Sequence, residues 1–174
     1  EIDPVVIKIA RDPGQFGFLS NCAPAAKIIL GDARLTLAGQ PASGFDYLLI
    51  DAFSSDTIPI HLLTREAIAL YMSRLKDDGL LVIHISNRHM ELQSAVSALA
   101  RDAGVAVKTR TQTTKPASLG DPVPSAVAIF ARNPETLVRF NEELGWKQPA
   151  GNDVAVWTDD YSNILGAIWR KYSK

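Results

Sequence analysis

The chain has 174 residues, of which 47% are hydrophobic and 21% are charged, and its formal net charge is −1. The length suits one domain, and the composition is ordinary for a globular protein with enough apolar side chains for a core. Because no basic surface is indicated, we expect neither nucleic acid nor an anionic membrane as a partner. Cys22 is the only cysteine, which excludes a disulfide framework and a cysteine-based zinc site, and the three scattered histidines predict no metal.

The first part of the sequence predicts two short helices and a strand. The sequence contains neither a run of 18 apolar residues nor a secretory signal. It opens on Glu-Ile-Asp-Pro without a methionine, so we expect a fragment of a longer protein. Asp3 is a typical N-cap and proline a typical first helical residue, which predicts a helix from Pro4 to Arg11. A loop at 14–26, an apolar strand from Ala26 to Leu30 and a short helix from Ala33 to Leu37 are predicted to follow.

The segment from Phe45 to Arg88 has the order strand, acidic loop, helix, strand. Its first strand, Phe45 to Ile50, is nearly all apolar and is therefore predicted to be buried on both faces of a parallel sheet. A helix capped by Thr64 is predicted to reach about Lys76, before a strand from Leu80 to Ile85. The apolar residues of this helix fall on one stripe, which consists of Ala67, Ile68, Tyr71 and Leu75.

The C-terminal half continues the alternation. The predicted elements are a helix from Glu91 to Ala103, a strand from Val105 to Thr111, a loop at 112–124, a strand from Ala126 to Ala131, a helix from Pro134 to about Leu144 and a final helix from Ser162 to Tyr172. Strands that alternate with helices indicate a parallel sheet, and the two strands joined by a loop are expected to pair antiparallel. The predicted fold is α/β: a Rossmann-like, doubly wound, mostly parallel sheet with an antiparallel C-terminal strand pair. It resembles the class I S-adenosylmethionine-dependent methyltransferases.

Two acidic positions lie at predicted strand ends in the N-terminal part. Glu1 stands just before a helix, where the two oxygens of a carboxylate match the two hydroxyls of a ribose; a frayed terminus is the alternative. Gly31-Asp32-Ala33 closes the next strand. Here Asp32 can accept a hydrogen bond from an adenine amino group and Gly31 can let the base approach the backbone. Alternatively, Asp32 caps the helix that follows.

Asp51 and Asp56 form a second acidic group, after the strand that ends at Ile50. In open α/β sheets, ligands bind beyond the carboxyl ends of the strands, and paired carboxylates there can hold a cationic amine and accept its proton. The alternatives are solvated or capping residues and, for Asp56, turn chemistry. His84 falls inside an apolar strand and is predicted to be a satisfied core residue. Asp159-Asp160 is predicted to cap the final helix at Ser162, and the alternative is that these carboxylates face the ligand cleft.

Together these segments resemble the spermidine synthase family, the polyamine aminopropyltransferases, in a bacterial spermidine synthase-like subgroup. Glu1-Ile-Asp-Pro is similar to the family's acidic ribose-binding motif, and Gly31-Asp32-Ala33 to its adenine-contacting Gly-Asp-Ala. The strand from Phe45 to Asp51 is similar to the motif whose final Asp is catalytic. The resemblance implies that Asp51 helps to deprotonate the attacking amine and that Asp56 is the second Asp of the acidic loop.

The resemblance also implies the reaction and its setting. An aminopropyl group would move from decarboxylated S-adenosylmethionine, a co-substrate with no tightly bound cofactor beside it, to putrescine or a related small polyamine. A homodimer would be expected, located in the cytoplasm or at the cytoplasmic face of the inner membrane if a membrane-embedded N-terminal part is fused to it. A methyltransferase that uses S-adenosylmethionine, and a non-catalytic module that binds a nucleoside or a protein, are the alternatives.

The sequence departs from the family in its acidic loop and ahead of Glu1. Asp51 and Asp56 are five residues apart, against three in the family's Asp-Ser-Ser-Asp-Pro pattern. The glycine-rich strand and loop that the family places before its ribose-binding acid, and the N-terminal β-hairpin domain, are not among the 174 residues. We therefore expect residues 1–174 to be a single spermidine synthase-like domain without its first strand, and to be inactive alone.

Overall fold

The computed structural model describes residues 1–52, 59–113, 125–149, 151 and 153–173. The chain divides into two compact units, Glu1–Gln40 and Pro41–Lys174. The first unit contains three helices: α1 (Pro4–Arg11), α2 (Gly17–Cys22) and α3 (Ala33–Ala38). Across the described parts of the chain, no helix has both the length and the apolar character needed to cross a membrane.

Capping residues determine where α1 and α3 begin. Asp3 Oδ1 accepts the Val5 N–H at 2.7 Å and Pro4 opens α1, as predicted. Asp32 Oδ1 accepts the Leu35 N–H at 2.9 Å at the start of α3. The helix α2 lies inside the segment that was predicted to be loop, so that prediction is wrong. Its N-cap Phe16 makes no side-chain cap, and six residues are too few for a periodic signal.

The predicted strand from Ala26 to Leu30 does not form. Two backbone hydrogen bonds connect the end of this segment to residue 1: Gly31 N–H donates to Glu1 O at 2.9 Å, and the Glu1 amino group donates to Ile29 O at 3.2 Å. One residue is too short a partner for a ladder, because a strand needs several successive pairs on its neighbour.

The second unit contains a five-stranded mixed sheet in the order β1-β2-β4-β3-β5. The strands are β1 (Phe45–Ile50), β2 (Leu75–His84), β3 (Ala106–Gln112), β4 (Ser125–Ala131) and β5 (Trp146–Lys147), and the helices are α4 (Arg65–Arg74), α5 (Gln93–Ala103) and α6 (Ile164–Tyr172). β1 and β2 pair parallel, whereas β2–β4, β3–β4 and β3–β5 pair antiparallel. The α/β class and the antiparallel C-terminal pair are therefore confirmed.

Side-chain alternation gives the sheet two different faces. On one face, Leu137 from the chain after β4 packs with four buried strand residues: Leu80, Val82, Ile129 and Ala131. On the other face, Leu81, Ile83 and Phe130 are fully buried. Helix α4 contacts β2 and α5, and α5 contacts β3. The four residues of the predicted stripe are all buried, but only Ala67, Ile68 and Tyr71 lie on α4. The helix ends at Arg74, before the predicted Lys76, and Leu75 begins β2.

Strand β1 is less buried than its sequence predicts. It lies at the edge of the sheet, and the side chains of Tyr47 and Leu49 are 53% and 50% exposed. Both line a groove of about 440 Å³ on the face that carries Leu80 and Val82. The prediction of burial on both faces is thus wrong for these residues, because among the described strands β1 is hydrogen-bonded to β2 alone and lies at the edge of the sheet.

The predicted helix from Pro134 to Leu144 is also wrong. Two short 3₁₀ turns, Pro134–Leu137 and Glu142–Leu144, occupy this segment. A continuous α-helix would use the Leu137 and Phe140 carbonyls within the helix. Instead, Lys108 Nζ on β3 donates to both of them, at 3.0 and 2.5 Å.

Replacement of Asp102 with Asn is expected to lower stability slightly at neutral pH. Arg65 Nε and Nη2 donate to the two carboxylate oxygens of Asp102 at 2.7 and 2.5 Å, which lowers the pKa of the Asp102 carboxyl. A lowered folded-state pKa stabilises the fold above the unfolded pKa, and this contribution is lost as the pH falls through the folded pKa. Because the pair is partly exposed, thermal unfolding at pH 7 should show a Tm lower by about 1–3 °C.

The same unfolding experiment at acid pH supplies the check. The Tm difference between wild type and Asp102→Asn should shrink as the pH is lowered past the ordinary aspartate pKa of 3.8. A difference that stays constant across this range would show that the ion pair is not its source.

Candidate functional site

Asp51 lies at the carboxyl end of β1, beside the last residue of β2. Ile50 is paired with Ile83 across the two parallel strands, so the next residues along each strand, Asp51 and His84, are neighbours at one rim of the sheet. Asp51 Oδ1 lies 2.8 Å from His84 Nδ1. Because an ionised carboxylate has no hydrogen to donate, this contact assigns the N–H to Nδ1.

The other nitrogen of His84 is also in a hydrogen bond. His84 Nε2 lies 2.5 Å from Ser86 Oγ, and Ser86 Oγ accepts the backbone N–H of Ala126 at 2.8 Å. The antiparallel pairing of His84 with Val127 brings the start of β4 to this position. With Nδ1 protonated, Nε2 accepts the Ser86 hydroxyl hydrogen, and one continuous hydrogen-bond chain runs from the β4 backbone to Asp51.

Asp51 is more exposed to solvent than His84, the residue that lies behind it. The Asp51 side chain is 56% exposed and that of His84 is 29% exposed. Within the described ranges, Asp51 Oδ2 makes no hydrogen bond. The site therefore presents a carboxylate with one fixed oxygen and one open oxygen, a geometry that can accept a proton from an amine.

The interpretation of His84 as a core residue is incomplete, since its ring connects Asp51 to Ser86. The sequence does carry a signal for the contact. The apolar runs that form β1 and the second half of β2 end at equivalent positions, one in Asp51 and the other in His84. Asp56, the predicted partner of Asp51, lies outside the described residues.

In the N-terminal unit, the backbone of Gly31 is hydrogen-bonded to that of Glu1, so the other predicted residues lie close together in space. Gly31 N–H donates to Glu1 O, and Glu1 Oε1 accepts the Asp3 N–H at 3.0 Å. Asp32 caps α3 and Ala33 is the first residue of that helix, so the structural role considered for Asp32 is present. Binding of a ribose by Glu1, binding of an adenine by Gly31, Asp32 and Ala33, and a cleft shared with Asp51 stay predictions.

Gly31→Ala is expected to destabilise the N-terminal unit. Gly31 has a φ of +141°, and a Cβ placed there would lie 2.9 Å from Thr36 Cγ2. An alanine must therefore adopt a strained backbone, at a cost of about 1–2 kcal/mol. Hydrogen exchange of the α3 amides in the whole chain would measure it.

Gly39→Ala is the matched control for this change. Gly39 ends the same helix with a φ of −81°, and the nearest atom to an added Cβ is 3.6 Å away. Exchange in this variant should stay close to that of the wild type. Equal acceleration in the two variants would refute a special role for the Gly31 backbone.

The segment around Asp159 holds the start of α4 and does not cap the final helix. Asp159 Oδ1 accepts the Thr64 hydroxyl at 2.8 Å, and Glu66 Oε2 accepts the Asp159 N–H at 3.0 Å. Asn163 caps α6, with Oδ1 accepting the Gly166 N–H at 2.8 Å. The prediction for Asp159 is therefore wrong: the segment that contains it binds the N-terminal turn of α4, a contact between residues far apart in sequence.

Metal ligation has no support in the described ranges, where His, Cys, Asp and Glu form no group of three placed to hold an ion. The mainly apolar groove beside Tyr47 is lined by Arg110 but by no carboxylate from the described residues. Asp51 and its hydrogen-bond chain are therefore the strongest candidate for chemistry in the second unit.

Comparison with known proteins identifies a relative by sequence. The chain is 38% identical over 84 residues to a polyamine aminopropyltransferase of Vibrio vulnificus, an alignment that covers 47% of the chain and 27% of the relative. No protein-family model matches the chain.

Solved structures share the fold. A probable spermidine synthase from Corynebacterium glutamicum superposes with a TM-score of 0.62 at 19% identity, over 94% of the chain and 63% of that protein. Spermidine synthase from Thermotoga maritima gives a TM-score of 0.50 at 16% identity, over 97% of the chain and 55% of that protein. A spermidine synthase in complex with the transition state analogue AdoDATO matches equally well, with a TM-score of 0.50 at 16% identity, over 97% of the chain and 54% of that protein. The chain thus spans less than two thirds of the length of these relatives.

Proposed function

Because the chain shares part of its sequence with a polyamine aminopropyltransferase and its fold with spermidine synthases, we propose that it belongs to a transferase of this class. The transferred group is aminopropyl, the donor is decarboxylated S-adenosylmethionine and the acceptor is putrescine or a related amine. The observation that carries the proposal is the 38% identity over 84 residues. The placement of Asp51 at the carboxyl end of β1 supports it.

Asp51 is the proposed base of the reaction. An amine in water is mostly protonated and has no free electron pair, so the open oxygen of Asp51 first takes a proton from the ammonium group. The amine nitrogen then attacks the methylene carbon attached to the sulfonium. A C–N bond forms, the C–S bond breaks, and its electron pair stays on sulfur to give methylthioadenosine. The proton on Asp51 passes to solvent, and catalysis depends on this base and on positioning.

The proposed nucleoside contacts lie in the N-terminal unit. Glu1 would accept hydrogen bonds from the ribose hydroxyls, and Asp32 would accept one from the adenine amino group while Gly31 and Ala33 approach the base. The backbone bond between Gly31 and Glu1, at 2.9 Å, supports a common role for the two segments. The spermidine synthase that binds AdoDATO has the same fold, which supports an adenosyl co-substrate.

Binding measurements on two chain lengths test the proposal. We infer that residues ahead of Glu1 supply a glycine-rich loop, whose backbone approaches the co-substrate closely. Calorimetry should therefore detect weak or no binding of methylthioadenosine to residues 1–174 and clear binding to a chain with its native upstream residues. Only the longer chain should convert putrescine. Tight binding by residues 1–174 would refute the role of the upstream loop.

The choice of co-substrate separates this function from a methyltransferase. Carboxylates near the reacting carbon repel the carboxylate of S-adenosylmethionine, so the decarboxylated nucleoside should bind more tightly to the longer chain. Preference for S-adenosylmethionine, together with transfer of a methyl group, would replace the proposed function with that of a methyltransferase.

A further inference from the structure

Two residues with no role in the reaction so far lie behind the proposed base: His84 contacts Asp51, and Ser86 contacts His84. His84 bridges the two, with one ring nitrogen 2.8 Å from Asp51 Oδ1 and the other 2.5 Å from Ser86 Oγ. We infer that His84 is a positioning residue, which fixes Asp51 so that its second oxygen faces the substrate amine. This inference rests on the proposed function of Asp51.

The physical need for such a residue follows from the exposure of Asp51. More than half of the Asp51 side chain is open to solvent, and the chain immediately after it leaves the sheet. An exposed carboxylate on a loop samples several rotamers. Only a rotamer that directs an oxygen at the substrate amine can accept its proton, so the others lower the rate of proton transfer. One hydrogen bond from a half-buried imidazole removes much of this freedom.

Ser86 keeps the imidazole in place. Its Oγ accepts the Ala126 N–H at 2.8 Å, so its hydroxyl hydrogen is free to point at His84 Nε2. When the Ser86 hydroxyl donates to Nε2, that ring nitrogen carries no hydrogen, so the N–H of the neutral imidazole is on Nδ1 and donates to Asp51. Serine hydrolases use the same three residue types, but here Ser86 Oγ is bound to the backbone of β4, so we assign it an anchoring role.

Two amide substitutions separate the two contacts of His84. The side-chain amide of Asn reaches the position of Nδ1, whereas that of Gln reaches the position of Nε2. His84→Asn therefore keeps a donor for Asp51, and His84→Gln keeps a contact with Ser86 only. In the longer chain, His84→Gln should lower kcat for putrescine by about tenfold or more with little change in the KM for the nucleoside, and His84→Asn should recover most of the loss.

Equal activity of the Asn and Gln variants, whether normal or lost, would overturn the inference, because the donor to Asp51 would then make no difference. A parallel change in Tm would reveal a merely structural effect, so each variant is also unfolded thermally. Ser86→Ala is the third variant, and it should give a smaller loss of kcat than His84→Gln because Asp51 keeps its partner.

A spectroscopic measurement on residues 1–174 tests the contact without turnover. At about pH 8, where an ordinary imidazole is neutral, the nitrogen chemical shifts of His84 should show hydrogen on Nδ1, and Asp51→Ala should remove this preference. Hydrogen on Nε2 in the wild type would overturn the inference. If the longer chain transfers no aminopropyl group while the Nδ1 assignment holds, the proposed function fails and the Asp51–His84 contact stands.

Discussion

Asp51→Asn is expected to slow aminopropyl transfer by about a hundredfold or more in the chain with its native upstream residues, the usual scale for a positioned acid-base group. Asparagine has nearly the same shape as aspartate but cannot take a proton from the substrate ammonium. The nucleoside is proposed to contact Glu1 and Asp32, so methylthioadenosine affinity measured by calorimetry should change little. The loss should appear in kcat when putrescine conversion is followed under saturating co-substrate.

Asp46→Asn is the matched control for this prediction. Asp46 lies on the same strand, is exposed and is paired with Lys76, whose Nζ is 2.8 Å from each carboxylate oxygen. The substitution makes the same chemical change without touching the carboxyl end of β1. Its activity should match the wild type. An Asp51→Asn variant as active as Asp46→Asn would remove Asp51 from the mechanism.

Local signals in the sequence predict the starts of α1 and α4 and the end of α5 well. Asp3 and Thr64 accept hydrogen bonds from the first turns of α1 and α4, and both helices begin where these caps predict. Gly104 ends α5 with a φ of +65°, a conformation that favours glycine. In each case the residue and the backbone group that it satisfies are only a few positions apart, so the sequence alone contains the information.

The features that the sequence did not predict depend on distant residues. The carbonyls of Leu137 and Phe140 are taken by Lys108, which lies about thirty residues earlier and cannot be recognised as a helix-breaking partner from local pattern. Likewise, the apolar sequence of β1 indicates a central strand, but burial depends on whether a second strand and a covering helix are present. The hydrophobic pattern of a strand indicates which side chains can be buried, but it does not indicate which strands or helices will pack against them.

The candidate site combines both kinds of information. The position of Asp51 after a strand could be predicted, because its carboxylate ends an apolar run. Its contact with His84 needed the register between β1 and β2, which pairs Ile50 with Ile83. Register depends on the packing of both strands and on the irregular pairing between Phe45 and Tyr47. For this reason the sequence alone predicts a core position for His84, whereas its ring contacts the exposed Asp51 at the rim of the sheet.

Glu91→Gln is expected to lower the free energy of unfolding by about 3 kcal/mol, the second large effect that the structure supports. Glu91 Oε2 accepts Arg170 Nε at 3.2 Å, with side-chain exposures of 9% for Glu91 and 15% for Arg170. Glu91 Oε1 also accepts the Ser94 N–H at 3.1 Å, and the Glu91 N–H donates to Ala167 O at 2.9 Å. One carboxylate thus connects the start of α5 with α6.

The size of this effect follows from burial. Within the described ranges, Arg170 Nη2 is buried without a hydrogen-bond partner, so removal of the Glu91 charge leaves a buried cation with no compensating anion. Asp102→Asn makes the same chemical change in a partly exposed pair, where water replaces the lost partner. Urea unfolding of the two variants side by side should therefore give a large decrease for Glu91→Gln and a small one for Asp102→Asn. Similar decreases would contradict burial as the deciding factor, and a double variant with Arg170→Met should recover part of the loss because it removes the unpaired cation.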